Sequence, residues 1–287
     1  MKLFICADME GATGIVHRDQ LVPEGGAAYH AGCRLLTGDI VAAIEGAVAE
    51  GVDEVVISEG HAHMRNVILE DLPAVARLVR GPAQWSQKPL CQIAGLDERF
   101  DLAFFLGFHS RAGTSGGLLS HTWAGAIVHE LTVNGIVFGE TAINAAICGD
   151  FGVPVALVCG ADDLAAEARA DLGEDVELPV TKRTLGVTLA ECWGPRATAP
   201  RIAAAASRAV RRVKAGGVRP FRVAGPVVAE LETHRREMAD RMLLAAPGLA
   251  RVGDRRVRAT AATARDALAT LWRGITEAFH EPAGWLR

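Results

Sequence analysis

The stretch Asp101-Leu-Ala-Phe-Phe-Leu-Gly-Phe108, followed at once by His109, decides the fold. Its almost continuous apolar character predicts a strand that is buried on both faces, as the strands of parallel sheets are. Other short apolar runs lie at residues 2–7, 53–58 and 153–158. Ala-rich segments of helical character lie between or after these runs, at residues 29–50, 140–148 and 162–172. This alternation predicts an α/β fold with a mainly parallel sheet flanked by helices.

A hairpin is predicted after this central strand. Asn134-Gly135 stands between two extended runs, at residues 126–133 and 136–138. Both turn residues tolerate positive φ, which the tightest hairpin turns require. The segment after His109 is therefore not a simple crossover to the next parallel strand.

The C-terminal third differs in pattern and predicts a smaller α+β domain. Gly194, Pro195 and Pro200 form a candidate linker. Predicted elements then follow: a helix at 201–214, an extended stretch at 221–231, a helix at 235–244, two short strands around Gly253-Asp254 and a helix at 261–279. Its only histidines are His234 and His280, so we assign it to packing, substrate walls or subunit contacts. We expect one domain at 1–192 and a second at 193–287.

Composition excludes several classes of protein. The 287 residues, of which 50% are hydrophobic, can supply a sizeable core. A net charge of −4 argues against a nucleic-acid surface, which is usually basic. Neither an 18-residue apolar run nor the features of a signal peptide are present, and the six cysteines show no C-x-x-C spacing. We therefore expect a cytoplasmic protein that binds neither nucleic acid nor membrane.

Side chains that bind metals follow the apolar runs. Carboxylates and imidazoles stand after the four predicted strands: Asp8 and Glu10; Glu59, His61 and His63; His109; Asp162 and Asp163. The carboxyl ends of parallel strands line one crevice, so these residues are expected to converge. Mixed carboxylate and imidazole ligands suit zinc. The pattern indicates a metallohydrolase.

Each of these residues also has an ordinary structural explanation. Asp8-Met9-Glu10-Gly11 could simply end a strand, although the two carboxylates can face one ion if the chain turns at Gly11. Of the two histidines in His61-Ala62-His63, we favour His61 as a ligand and place His63 at the surface or outside the ligand shell. We interpret Asp162 as a helix cap.

Two further candidates depend on the rest of the pattern. His121, in Ser120-His121-Thr122-Trp123, could be a plain loop histidine, and nearby Trp123 could shield it. Glu140 opens a predicted helix, where a carboxylate stabilises the helix dipole. Their functional roles gain support only when the two are taken together with the strand-end residues.

Five separated blocks, in this order, resemble the M55 D-aminopeptidase family of zinc metallopeptidases, once labelled dipeptide transport proteins. The blocks are Ala7-Asp8-Met9-Glu10-Gly11, Glu59-Gly60-His61, Leu106-Gly107-Phe108-His109, Ser120-His121 and Gly139-Glu140-Thr-Ala-Ile-Asn144. The resemblance covers residues 1–190 with specific motifs and the remainder more loosely. Glu59 departs from it, because an Asp is expected two residues before the metal-binding histidine. The C-terminal third matches least.

The resemblance implies a site and an assembly. Two zinc ions per subunit would be bound by five residues, with Asp8 as the bridge and His121 as the catalytic residue; the ligands are Asp8, Glu10, His61, His109 and Glu140. A ring-shaped homo-oligomer, with a decamer as one form, would direct the sites into an internal channel.

The predicted function is a zinc-dependent aminopeptidase that removes the N-terminal residue of short peptides. Zinc would polarise the scissile carbonyl and lower the pKa of bound water. His121 could transfer protons to the leaving amine or attack as a nucleophile, and the sequence leaves both open. Selectivity for D-amino acids rests wholly on the family resemblance.

Three other functions are weaker readings of the sequence. A TIM-barrel amidohydrolase would use His61 and His63 as a ligand pair, but it needs eight βα units where about five are predicted. A haloacid-dehalogenase phosphatase would use Asp8 as nucleophile, but it expects a second Asp where Glu10 stands. A non-catalytic, metal-dependent dipeptide-binding component is the remaining alternative, although binding alone does not need His121 beside five ligands.

Overall fold

The computed structural model describes residues 1–279 and arranges them around two sheets. Sheet A contains β1 (Lys2–Ala7), β2 (Glu54–Glu59), β3 (Ala76–Val79), β4 (Leu102–Phe108), β7 (Val155–Ala161), β8 (Val180–Gly186) and β9 (Leu189–Cys192). Sheet B contains β5 (Val128–Val133), β6 (Ile136–Val137), β10 (Val227–Thr233), β11 (Leu249–Arg251) and β12 (Arg256–Ala261).

Sheet A is mainly parallel and sheet B is antiparallel. The strand order of sheet A is β3-β2-β1-β4-β7-β8-β9, and only the β8–β9 pair is antiparallel. Sheet B has the order β11-β12-β10-β5-β6. The predicted α/β class with a mainly parallel sheet is confirmed. The predicted hairpin at Asn134-Gly135 is β5–β6.

Helices cover both faces of sheet A. The first face carries α1 (Ala27–Val48) and α4 (Pro195–Lys214), and the other carries α2 (Glu140–Asp150) and α3 (Asp162–Leu172). Helices α5 (Arg236–Ala245) and α6 (Ala264–Ala278) pack with sheet B. Strand β1 alternates between the two cores: Leu3 and Ile5 face α1, whereas Phe4 and Cys6 face the opposite side. This alternation follows from the two-residue period of a strand.

The central position of β4 explains its composition. All seven of its residues are buried, as the apolar run predicts. It lies between β1 and β7, with helices on both faces, so no side of it meets solvent. His109 follows this strand directly and is therefore buried at the carboxyl end of the strands of sheet A.

The predicted linker before α4 is wrong. Gly194 is the N-cap of α4 and Pro195 is its first residue, so the helix begins six residues earlier than the sequence suggested. Proline suits this position because the first backbone N–H groups of a helix have no intrahelical partner. Pro200 lies inside the helix, where packing of α4 against α1 outweighs its lost hydrogen bond.

Segments before and after residue 192 pack together around both sheets. The hairpin β5–β6 pairs with β10 in sheet B, and α4 packs on α1 beside sheet A. The division into domains after residue 192 stays a prediction, and His280 lies outside the described residues. Within residues 1–279, no helix combines the length and apolarity needed to cross a membrane.

Candidate metal centre

The turn after β1 lies directly against the end of β4. Backbone hydrogen bonds join Asp8 N to Leu106 O and Gly11 N to Gly107 O, both at 2.8 Å. A Cβ at Gly11 would lie 1.7 Å from Phe108 O, and one at Gly107, where φ is +74°, would lie 2.2 Å from Asp8 O. Glycine is therefore required at both positions. This close approach carries Asp8 and the adjacent Glu10 to the strand that ends at His109.

His61 faces the two carboxylates of this turn. Its Nδ1 lies 3.2 Å from Asp8 Oδ1 and 3.0 Å from Glu10 Oε2. Its Nε2 lies 2.9 Å from Leu21 O, to which only an N–H can donate. In the neutral ring, Nδ1 then carries a lone pair that points at carboxylate oxygens. Such an arrangement of acceptors needs a cation or a proton between them.

His109 repeats this arrangement on the other side of Asp8. Its Nδ1 donates to Ser110 O at 2.9 Å, which leaves Nε2 directed into the cluster. Nε2 lies 3.5 Å from Asp8 Oδ2 and 3.4 Å from Glu140 Oε1. The two oxygens of Asp8 therefore face two different imidazoles. Glu140 is the first residue of α2, so the helix dipole also favours its negative charge.

His121 closes the cluster on the solvent side. Its ring stacks on His109, with ring centroids 4.0 Å apart. Its Nδ1 donates to Leu119 O at 2.8 Å, and its Nε2 lies 3.8 Å from Glu140 Oε1 and 4.0 Å from Glu10 Oε1. The side chain of His121 is 26% exposed, whereas Glu10 and Glu140 are almost fully buried. Of these three, His121 is the one a solute can reach.

Among residues 1–279, three overlapping groups of side chains could hold metal ions. In each, the potential ligand atoms lie within 4.8 Å of one another; the groups are Asp8, Glu10 and His61; Asp8, His109 and Glu140; and Glu10, His109 and His121. All six predicted site residues thus lie in one cluster. Their individual roles stay predictions.

The electrostatics of the cluster favour bound positive charge. Burial would lower the pKa of His61, but Glu10 and Asp8 raise that pKa well above its usual value. Burial likewise opposes charge on His109, and Glu140 and Asp8 raise its pKa. Burial would raise the pKa of Asp8, yet the adjacent imidazoles of His109 and His61 hold it well below the usual range. Binding of a metal ion by these imidazoles would release their protons, as is usual at metal sites.

Two buried atoms of the cluster have no hydrogen-bond partner among the described residues. They are Glu10 Oε2 and His109 Nε2. Buried polar atoms are rarely left unpaired, because desolvation without a partner costs about 1–3 kcal/mol each. Both atoms point towards other potential ligands, so a divalent cation fits the donor set of this cluster.

Gln92, which sequence reasoning missed, orients the carboxylates. Its Nε2 donates to Glu140 Oε2 at 2.5 Å and lies 3.3 Å from Asp8 Oδ2. Its Oε1 accepts a hydrogen bond from Asn144 Nδ2 at 2.6 Å, which fixes the amide orientation. The other oxygen of Glu140 accepts from the backbone N–H of Trp123 at 2.6 Å. Asn144 belongs to one of the conspicuous sequence blocks, but Gln92 lies in an unpatterned segment.

Strand β8 holds the turn that carries Glu10. The Nζ of Lys182 donates to Glu10 O at 2.7 Å and to Ala12 O at 2.6 Å, and Thr181 Oγ1 donates to Gly11 O at 2.7 Å. Three successive carbonyl oxygens are thereby fixed by two neighbouring side chains. Lys182 is fully buried, and burial lowers its pKa to about 8. No sequence pattern predicted β8, so this contact became visible only in the structure.

The acidic residues after β7 support the site from outside. The interpretation of Asp162 as a helix cap is wrong, because Asp162 is the first residue of α3 and the N-cap is Ala161, which makes no side-chain cap hydrogen bond. Asp162 Oδ1 instead accepts from Asp163 N at 3.0 Å and from Thr184 N, in β8, at 2.8 Å. Asp163 Oδ2 accepts from Ser110 Oγ at 2.8 Å and Leu118 N at 2.9 Å. Neither belongs to a candidate metal group within the described chain. Asp163 instead holds the loop that connects His109 and His121.

Glu59 and His63 also lie outside the cluster. Glu59 is buried and accepts hydrogen bonds from the backbone of Asn66 at 2.5 Å and of Val67 at 3.1 Å. It therefore shapes the loop that follows His61. His63 is exposed, as the sequence analysis expected of a residue outside the ligand shell.

A cavity of about 580 Å³ opens onto the cluster. Asp8, Glu10, His61, His121 and Glu140 form its polar end. Its apolar walls include Met64, Leu119, Trp123 and Trp272. The volume suits a small molecule, and its polar groups converge at one end, as is usual for ligand sites.

Comparisons with known proteins identify the family and the fold that this chain resembles. The family model for D-aminopeptidase, peptidase family M55, matches residues 1–272. A relative named D-aminopeptidase from Bacillus subtilis (strain 168) is 34% identical over 195 residues, which is 68% of each chain. A solved structure, described as the Zn-dependent D-aminopeptidase DppA from Bacillus subtilis, a self-compartmentalizing protease, is similar with a TM-score of 0.89. It is 27% identical in sequence and covers 98% of this chain and 99% of its own.

The family match spans almost the whole described chain, and the similar structure agrees with it in fold along that length. This chain therefore belongs to the M55 peptidase family of D-aminopeptidases.

Proposed function

We propose that this protein is a zinc-dependent aminopeptidase that releases the N-terminal residue from short peptides of D-amino acids. The observation that carries the proposal is the shared position of Asp8, whose two carboxylate oxygens face His61 and His109 at 3.2 and 3.5 Å. A carboxylate between two imidazoles suits a bridge between two metal ions. Membership of the D-aminopeptidase family supports the same activity.

We assign one zinc ion to Asp8, Glu10 and His61, and the other to Asp8, His109 and Glu140. The unpartnered atoms Glu10 Oε2 and His109 Nε2 support this assignment, since each faces the position that a ligand would need. Oxygen and imidazole nitrogen are common zinc ligands. His61 Nε2 donates to Leu21 O and His109 Nδ1 donates to Ser110 O, and these hydrogen bonds fix the tautomers of the two histidines, as outer-shell carbonyls do at zinc sites.

Bound zinc supplies Lewis-acid polarisation of the scissile carbonyl and a water of lowered pKa. We assign His121 the transfer of a proton to the leaving amine. Leu119 O holds its Nδ1–H, so Nε2 is the atom that exchanges protons at the cavity. The partly exposed position of this ring, stacked on His109, keeps Nε2 beside the cluster.

We further propose that the protein forms a homo-oligomer, specifically a decameric ring, in the cytoplasm. The similar structure from Bacillus subtilis is described as self-compartmentalizing, which requires that an assembly enclose its sites. All six cysteines are free, as is usual in a reducing compartment. The mass of the native particle in solution tests the number of subunits.

The decisive experiment is a panel of dipeptides and tripeptides with D or L N-terminal residues, assayed with and without added zinc. We expect cleavage of D-peptides and two zinc ions per chain in protein purified without chelator. Full activity in metal-free protein would overturn the assignment of zinc. Tight binding of dipeptides without any cleavage would instead favour the alternative of a dipeptide-binding component.

A further inference from the structure

We propose that Arg18 binds the C-terminal carboxylate of the substrate and so restricts this enzyme to short peptides with a free C-terminus. The inference rests on the proposed peptidase function and deepens it. Three features of the molecule support this role: the charge distribution of the cavity, the unpaired guanidinium of Arg18 and the rigid turn that carries it.

The charges that line the cavity are strongly asymmetric. Asp8, Glu10 and Glu140 stand at the metal-binding end. Within residues 1–279, Arg18 is the only lysine or arginine of the cavity lining. A short peptide has the matching asymmetry, with an amine at one terminus and a carboxylate at the other. The polar end suits the amine and the scissile bond, which leaves Arg18 for the carboxylate.

The guanidinium of Arg18 is available for a ligand. The residue is exposed, and within the described chain its side chain makes neither a hydrogen bond nor an ion pair. Many other arginines differ: Arg208, for example, donates to Glu177 Oε2 at 2.8 Å. A guanidinium presents N–H groups in a planar fork that matches both oxygens of a carboxylate. An unpaired guanidinium at a cavity wall is therefore suited to bind a carboxylate.

The backbone that carries Arg18 is fixed although its side chain is free. Gln20 Oε1 accepts from Val16 N at 2.9 Å and His17 N at 3.1 Å, and its Nε2 donates to Gly14 O at 3.0 Å. Leu21 N donates to Arg18 O at 2.8 Å. A rigid turn lowers the entropic cost of binding, because only the side chain of Arg18 remains to be ordered.

This turn is also joined to the metal centre. His61 Nε2, on the ring that faces Asp8 and Glu10, donates to Leu21 O at 2.9 Å. Arg18 is thus three residues from the carbonyl that orients a proposed zinc ligand. The distance between the carboxylate-binding group and the scissile bond is consequently set by the fold, which makes peptide length a basis for selection.

The test compares three substrates on the zinc-loaded enzyme: D-alanyl-D-alanine, its C-terminal amide, and D-alanyl-D-aspartate α-amide, whose only carboxylate is on a side chain. We compare the wild type with Arg18→Gln and Arg18→Lys. Arg65→Gln is the matched control, because Arg65 is exposed in the loop after His61 but does not line the cavity. The affinity of an uncleavable D-alanyl-D-alanine analogue, with a reduced peptide bond, is measured by calorimetry.

We expect Arg18→Gln to raise KM for D-alanyl-D-alanine about ten- to hundredfold, as the loss of a charge-assisted hydrogen bond does. The affinity for the analogue should fall by the same factor, while kcat stays within about twofold. The amide should be a poor substrate for the wild type and unaffected by the substitution. Arg18→Lys should restore part of the affinity, because it retains the charge without the fork.

Equal cleavage of the free acid and the amide by the wild type would overturn the role of Arg18. So would an equal change in KM for both substrates in Arg18→Gln, or the same effect in Arg65→Gln. A preference for the side-chain carboxylate of the aspartate amide over D-alanyl-D-alanine would also overturn it. Failure of every variant and the wild type to cleave any peptide would instead reject the proposed function itself.

Discussion

The metal-binding edge of sheet A and the outer face of sheet B are both rich in charge, but they satisfy that charge differently. On sheet B, β10 and β12 place Glu230 opposite Arg258 and Glu232 opposite Arg256. The ion pairs are 2.5 and 2.6 Å long, and their side chains are 19–43% exposed. At the edge of sheet A, carboxylates and imidazole lone pairs face each other in the interior.

The charges on sheet B pair with one another, whereas the groups of the cluster need a bound ligand to complete their contacts. Each exposed pair on sheet B already has its partner and contributes about 0.2–1 kcal/mol, which salt reduces. In the cluster, Glu10 Oε2 and His109 Nε2 have no partner in the described chain. Charge density alone therefore does not identify a site. A site is identified by buried acceptor atoms that have no hydrogen-bond partner.

The largest expected effect is on the shared carboxylate. Asp8→Asn should reduce bound zinc to one ion or fewer per chain and lower kcat/KM at least about a thousandfold, because several kcal/mol of transition-state stabilisation are lost. Metal analysis after dialysis and assays with a D-dipeptide measure both quantities. Two tightly bound zinc ions in this variant would refute the bridging role.

The second prediction separates catalysis from metal binding. His121→Ala should lower kcat about 10²–10⁴-fold, the usual contribution of a positioned proton donor, while two zinc ions remain bound. If zinc is lost instead, His121 is a ligand, as its closeness to Glu10 and His109 would permit. An unchanged rate would remove its catalytic role.

The third prediction concerns the amide that orients two ligands. Gln92→Leu keeps a similar volume but removes the hydrogen bonds to Glu140 and Asp8, so zinc affinity should fall about ten- to hundredfold. Competition with a chelator measures the affinity. Gln87→Leu is the matched control, because Gln87 is exposed and outside the cavity. Equal affinities in the two variants would mean that Gln92 does not orient the ligands.

The smallest effect is expected on sheet B. Arg256→Ala removes the pairs with Glu232 and Glu130, at 2.6 and 3.0 Å, and should lower the free energy of unfolding by about 1 kcal/mol or less. Zinc content and kcat/KM should not change. Denaturant titrations at low and high salt measure the difference, which should shrink at high salt. A loss of zinc would contradict the separation of the two regions.

Local pattern was enough to predict several elements. The apolar run of β4 predicted a strand buried on both faces and placed His109 at its end. Asn134-Gly135 predicted the β5–β6 hairpin, because the tolerance of positive φ is a property of these two residue types. The five sequence blocks also predicted which six side chains would meet, a set that now lies in one cluster.

Other features depended on contacts between distant parts of the chain. The start of α4 at Pro195 was missed, since a proline reads locally as a break while packing on α1 is non-local. The pairing of β5 with β10 joins segments about a hundred residues apart, and no local pattern specifies it.

The sequence by itself determined four strands of sheet A, β1, β2, β4 and β7, together with the hairpin and the identity of the ligand candidates, because side-chain period and backbone preference act over a few residues. Only the tertiary structure decided what surrounds those candidates. Gln92 and Lys182 come from segments without a motif, and they reach the site solely through the folding of distant backbone around it. The positions and orientations of the candidate ligands are set by these long-range neighbours, whereas the carboxylate and imidazole groups themselves are already given by the sequence.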